Sequence, residues 1–156
     1  MTQFFDTYTN KLDKKGRVSV PAPFRAALER MNATDLILSP NHKRACVDAR
    51  PDAVFRQIAA SLDTLDLFSD DHDDLAAMLF SASCSAMPDA EGRITLPERL
   101  IAHAGFSDLV SFVGMGPTFQ LWRPTDAAVR HREAVTSAVK KGLTVPRLRP
   151  AQGGTP

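Results

Sequence analysis

The chain has 156 residues, of which 44% are hydrophobic and 24% charged, a balance that belongs to folded globular chains and excludes an intrinsically disordered one. No apolar run approaches the roughly 20 residues that a membrane-spanning helix requires, and the stretch from Met1 to Arg17 has no charged start followed by an apolar core, so no signal peptide is expected and the cytoplasm is the expected compartment. Net charge is only +1, but residues 1–50 carry +4, residues 51–100 carry −7 and residues 101–156 carry +4, a segregation that points weakly to a polyanionic partner.

In chain order, Phe4 to Thr9 is aromatic and threonine-rich and predicts a strand. Lys11 to Arg17 predicts a polar turn with Gly16 near its end, and Val18-Ser19-Val20 alternates as a short strand. Pro21 and Pro23 introduce a helix with Phe24, Ala27, Leu28 and Met31 at helical spacing; proline suits a first turn, where its missing N–H has no partner to lose. Leu36-Ile37-Leu38 and Ala45 to Ala49 predict a hairpin across the polar turn Ser39 to Arg44. After Arg50-Pro51 a helix places Val54, Phe55, Ile58 and Leu62 on one face. A second helix, with Leu75, Met78, Leu79 and Ala82 in period, starts at the acidic run Ser69 to Asp74, where carboxylates suit the positive end of the helix dipole.

The order then repeats. Ile94-Thr95-Leu96 predicts a strand, Pro97 opens a helix, and Gly105 stands where a helix C-terminal glycine belongs. Leu109 to Val113 and Phe119 to Trp122 predict a second hairpin around the turn Gly114 to Thr118. Arg123-Pro124 precedes a longer helix to about Lys141. The tail from residue 143 to 156 is rich in proline and glycine and predicts disorder. Cys46 and Cys84, 38 residues apart with no C-x-x-C spacing, read as small buried hydrophobes.

The repeat is sharpest in "LDKKGRVSVP" and "MPDAEGRITLP". Asp13, Gly16, Arg17, Val18, Val20 and Pro21 align with Asp89, Gly92, Arg93, Ile94, Leu96 and Pro97, each at an offset of 76, while Arg50-Pro51 and Arg123-Pro124 match at an offset of 73. Units this small bury little apolar surface alone, so the expected fold is α+β, with the copies interleaved into one pseudo-two-fold body and additional helices. The expected division is repeat 1 over 5–51, a helical linker over 52–83, repeat 2 over 84–124, a C-terminal helix over 125–142 and the tail.

The two loops differ in charge. Lys11, Lys14, Lys15 and Arg17 against Asp13 give +3, whereas Arg93 against Asp89 and Glu91 gives −1. A duplex attracts the first and repels the second, since phosphate contacts supply most non-specific affinity. Arginine also pairs bidentately with guanine in the major groove. Arg17 is therefore the candidate base reader, with Lys11, Lys14 and Lys15 as candidate phosphate contacts. A structural reading stands beside this one: Asp13, Asp89 and Arg93, with Gly16 and Gly92, form ion pairs and turns that fix the loops, and Arg17 takes either role.

N-x-L-D-x-K-G-R-V-S-V-P followed by F-R-x-x-L, and "DAEGRITLP" followed by "LIAHAG" and "SFVGMGPTFQLW", resemble the two halves of the MraZ family, bacterial regulators of the division and cell-wall gene cluster. The resemblance covers about residues 5–50 and 80–125. It implies two AbrB-like swapped-hairpin repeats in a cytoplasmic, nucleoid-associated regulator of transcription. It also implies a ring-shaped homo-oligomer, an octamer or dodecamer, on short direct repeats of double-stranded DNA upstream of the operon that holds its own gene. It places the family's D-x-x-x-R DNA contact on Asp13/Arg17 and Asp89/Arg93. The sequence departs from the family after Pro51, where Val54 and Phe55 stand in place of a frequent tryptophan.

An enzyme is the first rival. His42, His72, His103 and His131 share no ligand spacing, and neither a G-x-S-x-G elbow nor a P-loop occurs, so no catalysis, metal, cofactor or small-molecule substrate is expected. The second rival is a protein-interaction scaffold or antitoxin-like module that binds a partner protein, for which the tail arginines Arg147 and Arg149 are available.

Overall fold

A computed structural model describes residues 3–147. The first copy contributes β1 (Thr7–Lys11), β2 (Arg17–Ser19), α1 (Ala22–Arg30), β3 (Leu36–Pro40) and β4 (Val47–Pro51). Two helices follow, α2 (Asp52–Leu62) and α3 (Asp70–Phe80). The second copy contributes β5 (Cys84–Ser85), β6 (Arg93–Thr95), α4 (Glu98–Ala104), β7 (Leu109–Gly114) and β8 (Phe119–Trp122), and α5 (Pro124–Lys141) ends the order.

The chemistry of the helix ends accounts for their positions. Pro21 and Pro97 precede α1 and α4 in extended backbone, and Pro124 occupies the first turn of α5. The Ser69 hydroxyl accepts the His72 N–H at 3.1 Å, capping α3 with Asp70, Asp71 and Asp73 in its first turn, an arrangement that satisfies an otherwise orphaned donor and the helix dipole together. Lys140 and Lys141 close α5, where cations belong.

The two hairpins, β3–β4 and β7–β8, form where the alternation predicts them. Their pairing continues through β4 and β8 into one six-stranded antiparallel sheet, ordered β1-β7-β8-β4-β3-β5. Each copy's first strand leaves its own hairpin and pairs with the other's: β1 with β7, and β5 with β3. β2 and β6 form a separate ribbon in which Val18 opposes Ile94, flanked by Arg17 opposite Thr95 and Ser19 opposite Arg93. The pseudo-two-fold axis thus runs through the Val18–Ile94 pair of the ribbon and the Asp48–Gln120 pair of the sheet.

The core lies between the ribbon and one face of the sheet. Val18, Val20, Ile94 and Leu96 pack with Leu36, Leu38, Val47, Phe112, Phe119 and Leu121 in one buried cluster, closed by Phe24 and Leu28 of α1 and Leu100 and Ala104 of α4. Neither copy has this core alone, because every layer of it draws on both.

The first strand differs from expectation. Phe4 makes only an isolated bridge to Gly116, Asp6 turns the chain at φ 76°, and the strand proper runs through Lys11 rather than ending at Thr9. The Asp6 carboxylate accepts the Thr7 N–H at 2.8 Å and holds that turn, a local side-chain bond of the kind short polar residues favour over regular structure. Cys84–Ser85 forms a short strand that alternation does not reveal, because two residues carry no period. Cys46 is buried and burial pushes its thiol up to about 12, which removes it from nucleophilic chemistry. The expected disorder of the tail falls mostly on residues 148–156, which lie outside the described residues.

The opposite face of the sheet is polar. Asp48, almost fully buried, accepts from Gln120 at 2.8 Å, from Asn41 at 3.2 Å and from Arg50 at 3.2 Å, and Gln120 in turn accepts from the Trp122 indole at 3.0 Å. α5 lies along this face and lines an open groove with Thr9, Ser111 and Trp122. None of α2, α3 and α5 buries a single residue completely.

Candidate nucleic-acid interface

Each D-x-x-G-R segment folds into the same turn for local chemical reasons. Asp13 Oδ1 accepts the backbone N–H groups of Lys15 at 2.9 Å and Arg17 at 2.8 Å, and the Asp13 N–H donates to the Arg17 carbonyl at 2.9 Å. Asp89 repeats this with Glu91 at 2.9 Å, Arg93 at 3.0 Å and the Arg93 carbonyl at 2.8 Å. Aspartate suits the position because its short side chain reaches the backbone two and four residues on. Arg17 Nε then donates to Asp13 Oδ2 at 2.7 Å. Arg93 lies farther from its aspartate, at 3.4 Å, and also meets Glu91 at 3.0 Å.

The glycines are required twice over. Gly16 and Gly92 sit at φ 79° and 78°, a region that only glycine enters without cost. Their carbonyls also accept across the copies: Gly16 from the Leu96 N–H at 2.7 Å, Gly92 from the Val20 N–H at 2.9 Å. A Cβ on Gly16 meets the Leu96 carbonyl oxygen at 2.9 Å. Gly16→Ala accordingly combines a left-handed alanine, about 1–2 kcal/mol, with a disturbed hydrogen bond, about 0.5–1.5 kcal/mol. Urea unfolding is expected to register a loss of about 2–3 kcal/mol.

Both aspartates are held below their ordinary value of 3.8, Asp13 chiefly by the Arg17 N–H and Asp89 chiefly by the Arg93 N–H, against partial desolvation. A carboxyl whose folded value is depressed contributes stability above its unfolded value and loses it as the pH falls through the folded one. Stability from these turns is therefore complete above 3.8 and declines below it. Asp13→Asn keeps an oxygen for the two N–H groups and loses the ion pair and the titration. Its thermal midpoint is expected between wild type and Asp13→Ala, with a shallower decline in acid; identical behaviour of the two variants removes the hydrogen-bonding role.

The ribbon brings the loops onto one surface. Val18 and Ile94 face the core, so Arg17, Ser19, Arg93 and Thr95 all face outward. The two arginine Cα atoms lie two residues along and one strand across, about 8 Å apart by strand geometry. Lys14 and Lys15 stand exposed at the tip of the first loop and form no ion pair among the described residues. Ala90 and Glu91 occupy the matching tip. Lys11 separates from its group: it belongs to β1 and shares the outer sheet face with Thr7 and Thr9.

One residue beside the loops is not evident from the motif. Arg25, on α1, donates through Nε to the Val20 carbonyl at 3.1 Å and lays its guanidinium over Gly92. The clue available in the sequence is the offset itself: position 25 maps to Ile101, which sits over Gly16 instead.

Two copies of one strand, loop, strand, helix and hairpin unit, exchanging their first strands and presenting paired D-x-x-G-R turns on a shared ribbon, define a tandem swapped-hairpin protein. Residues 79–126 match the family model described as "MraZ protein, putative antitoxin-like". The chain is 45% identical to the transcriptional regulator MraZ of Gluconacetobacter diazotrophicus over 99% of its own length and 98% of the relative's. It is 43% identical to the protein of that name in Gluconobacter oxydans over 99% and 97%, and 33% identical to that of Rickettsia canadensis over 93% and 97%. The chain belongs to the MraZ family of transcriptional regulators. No helix among the described residues is long and apolar enough to cross a membrane.

Proposed function

We propose that this protein binds short direct repeats of double-stranded DNA upstream of its own gene cluster as a ring-shaped homo-oligomer, acting in the cytoplasm at the nucleoid, with residues 5–51 and 84–124 as its two repeats. The first loop makes the main contact. Arg17 reads a base edge, and Lys14 and Lys15 hold phosphates; Lys11, on the neighbouring strand, meets the backbone outside the turn.

The observation that carries this reading is a pair of turns with the same backbone and opposite tips. Shared residues build both turns, and only the first adds exposed, unpaired lysines at its tip. Folding explains the shared part and leaves the lysines for a partner of negative charge. One basic loop per chain is a modest binder, and linking several in a ring raises avidity by ~10²–10⁴ where spacing matches. α5 supports such an assembly: Val135 is 51% and Val139 77% exposed on a helix that the chain leaves partly uncovered.

Footprinting of the DNA upstream of the protein's own gene, read together with the mass of the complex in solution, tests the proposal. Protection at regularly spaced short repeats by a closed oligomer is expected. An unprotected region, with a protein partner recovered by pulldown, favours the antitoxin-like alternative instead, for which the exposed apolar residues Leu143 and Val145 beyond α5 offer a surface.

A further inference from the structure

The second loop looks unfit for DNA when its own residues are counted, since Asp89 and Glu91 outnumber Arg93. The fold changes that count. A methyl group on Gly92 would lie 2.6 Å from a terminal nitrogen of Arg25 and 2.8 Å from its guanidinium carbon, so this group rests directly on the loop's glycine. Its placement is fixed by the Nε bond to the Val20 carbonyl, on the residue whose own N–H donates to Gly92. With Arg25 included, the local charge of the second loop rises from −1 to zero.

The first loop receives nothing comparable. The equivalent of Arg25 is Ile101, whose Cδ1 would lie 3.5 Å from a Cβ on Gly16. The loop that already carries lysines is backed by an aliphatic side chain, and the loop that lacks them is backed by an arginine from the other copy. Arg93 is occupied, held by Asp89 and Glu91. Arg25 forms no ion pair among the described residues and is only half-buried. It lines an open groove beside Glu29, Met87, Pro88 and Asp89. The Asp89 carboxylate there is engaged by backbone N–H groups of its own loop, and Glu29 is exposed and makes no ion pair with Arg25.

We infer that Arg25 is the cation through which the second loop meets the DNA backbone, as a phosphate contact supplied in trans by the first copy. The inference rests on the DNA reading above. It makes the two loops unlike partners: the first brings its charge in its own tip, the second borrows it from α1.

Binding of the full-length protein to a mixed-sequence duplex, followed against salt concentration, tests the assignment, because phosphate contacts are independent of sequence. Arg25→Gln is expected to weaken binding and to reduce the slope of log affinity against log salt by about 0.9 for each phosphate that is no longer neutralised. Arg25→Lys is expected to keep the slope. Thermal unfolding checks the fold of each variant, and Arg25→Met, which retains the aliphatic stem, replaces the glutamine variant if that one unfolds. An unchanged slope in the neutral variants overturns the proposal, whether affinity holds or falls, since a purely structural role for the Val20 bond moves affinity alone. Equal slope losses in Arg25→Lys and Arg25→Gln also overturn it. Absence of binding by the wild-type protein overturns the DNA reading itself and is seen before any variant is compared.

Discussion

Arg17→Ala is expected to lower affinity for the upstream duplex by about ten- to a hundredfold per engaged loop, given roughly 1–3 kcal/mol for a bidentate base contact. In the ring proposed above, the loss compounds across loops that bind together. Arg93→Ala is expected to cost much less, because Arg93 is already shared between Asp89 and Glu91. Arg17 is tied as well, through Nε to Asp13 at 2.7 Å, but that bond uses Nε alone and leaves its two terminal nitrogens without a hydrogen bond among the described residues. Asp13 therefore orients Arg17 without consuming its forked end, the end that recognises a guanine edge. Anisotropy measurements at one fixed salt concentration compare the variants. Equal losses from Arg17→Ala and Arg93→Ala would falsify the assignment of base reading to the first loop. Lys14→Ala and Lys15→Ala are companions to this test, each lowering affinity evenly across sequences and the salt slope by about 1.

Phe119→Ala is expected to destabilise the protein by about 3–5 kcal/mol, the range for deleting a buried aromatic side chain. Phe119 is fully buried, and its ring lies 5.0 Å from Phe4, 5.0 Å from Phe24 and 6.1 Å from Phe112. Three rings, from the N-terminal segment, α1 and β7, thus meet at this one side chain of β8 in tilted arrangements, and Phe4 and Phe24 meet each other edge-on, the geometry aromatic quadrupoles favour. Neighbours this stiff collapse poorly into a cavity, so the upper half of the range is expected. Urea unfolding gives the value, and a loss under about 2 kcal/mol shows instead that the cluster repacks. The position equivalent to Phe119 by strand pairing is Val47, which faces the same core, so the pseudo-two-fold is kept by the backbone and broken by the side chains. The aromatic cluster lies on one side of the axis only.

Much of the molecule is legible in the sequence where its cause is local. Asp13 and Asp89 reach only two and four residues along the chain, so the two turns follow from a short motif. Pro21, Pro97, Pro124 and Gly105 mark helix ends by properties of single residues. The hairpins follow from alternation and a polar turn. Phe4 to Thr9 departs from expectation because Asp6 interrupts an otherwise strand-like composition through one side-chain bond. Lys11 groups with Lys14 and Lys15 by nearness in sequence, and the two-residue period of a strand carries it to another face.

From its residues alone, this protein determines a pair of like turns, their unequal charge, and the helices and hairpins that follow each. Tertiary structure decides three further things. It decides that first strands are exchanged, β1 onto β7 and β5 onto β3, since pairing partners depend on which edges remain open after the hairpins form. It decides that both loops share one ribbon face, through the single buried pair Val18–Ile94. And it decides that Arg25 lies on a loop 67 residues away at Gly92, an electrostatic neighbour that no reading of charge along the chain reveals, because charges act through space and the fold sets the distance.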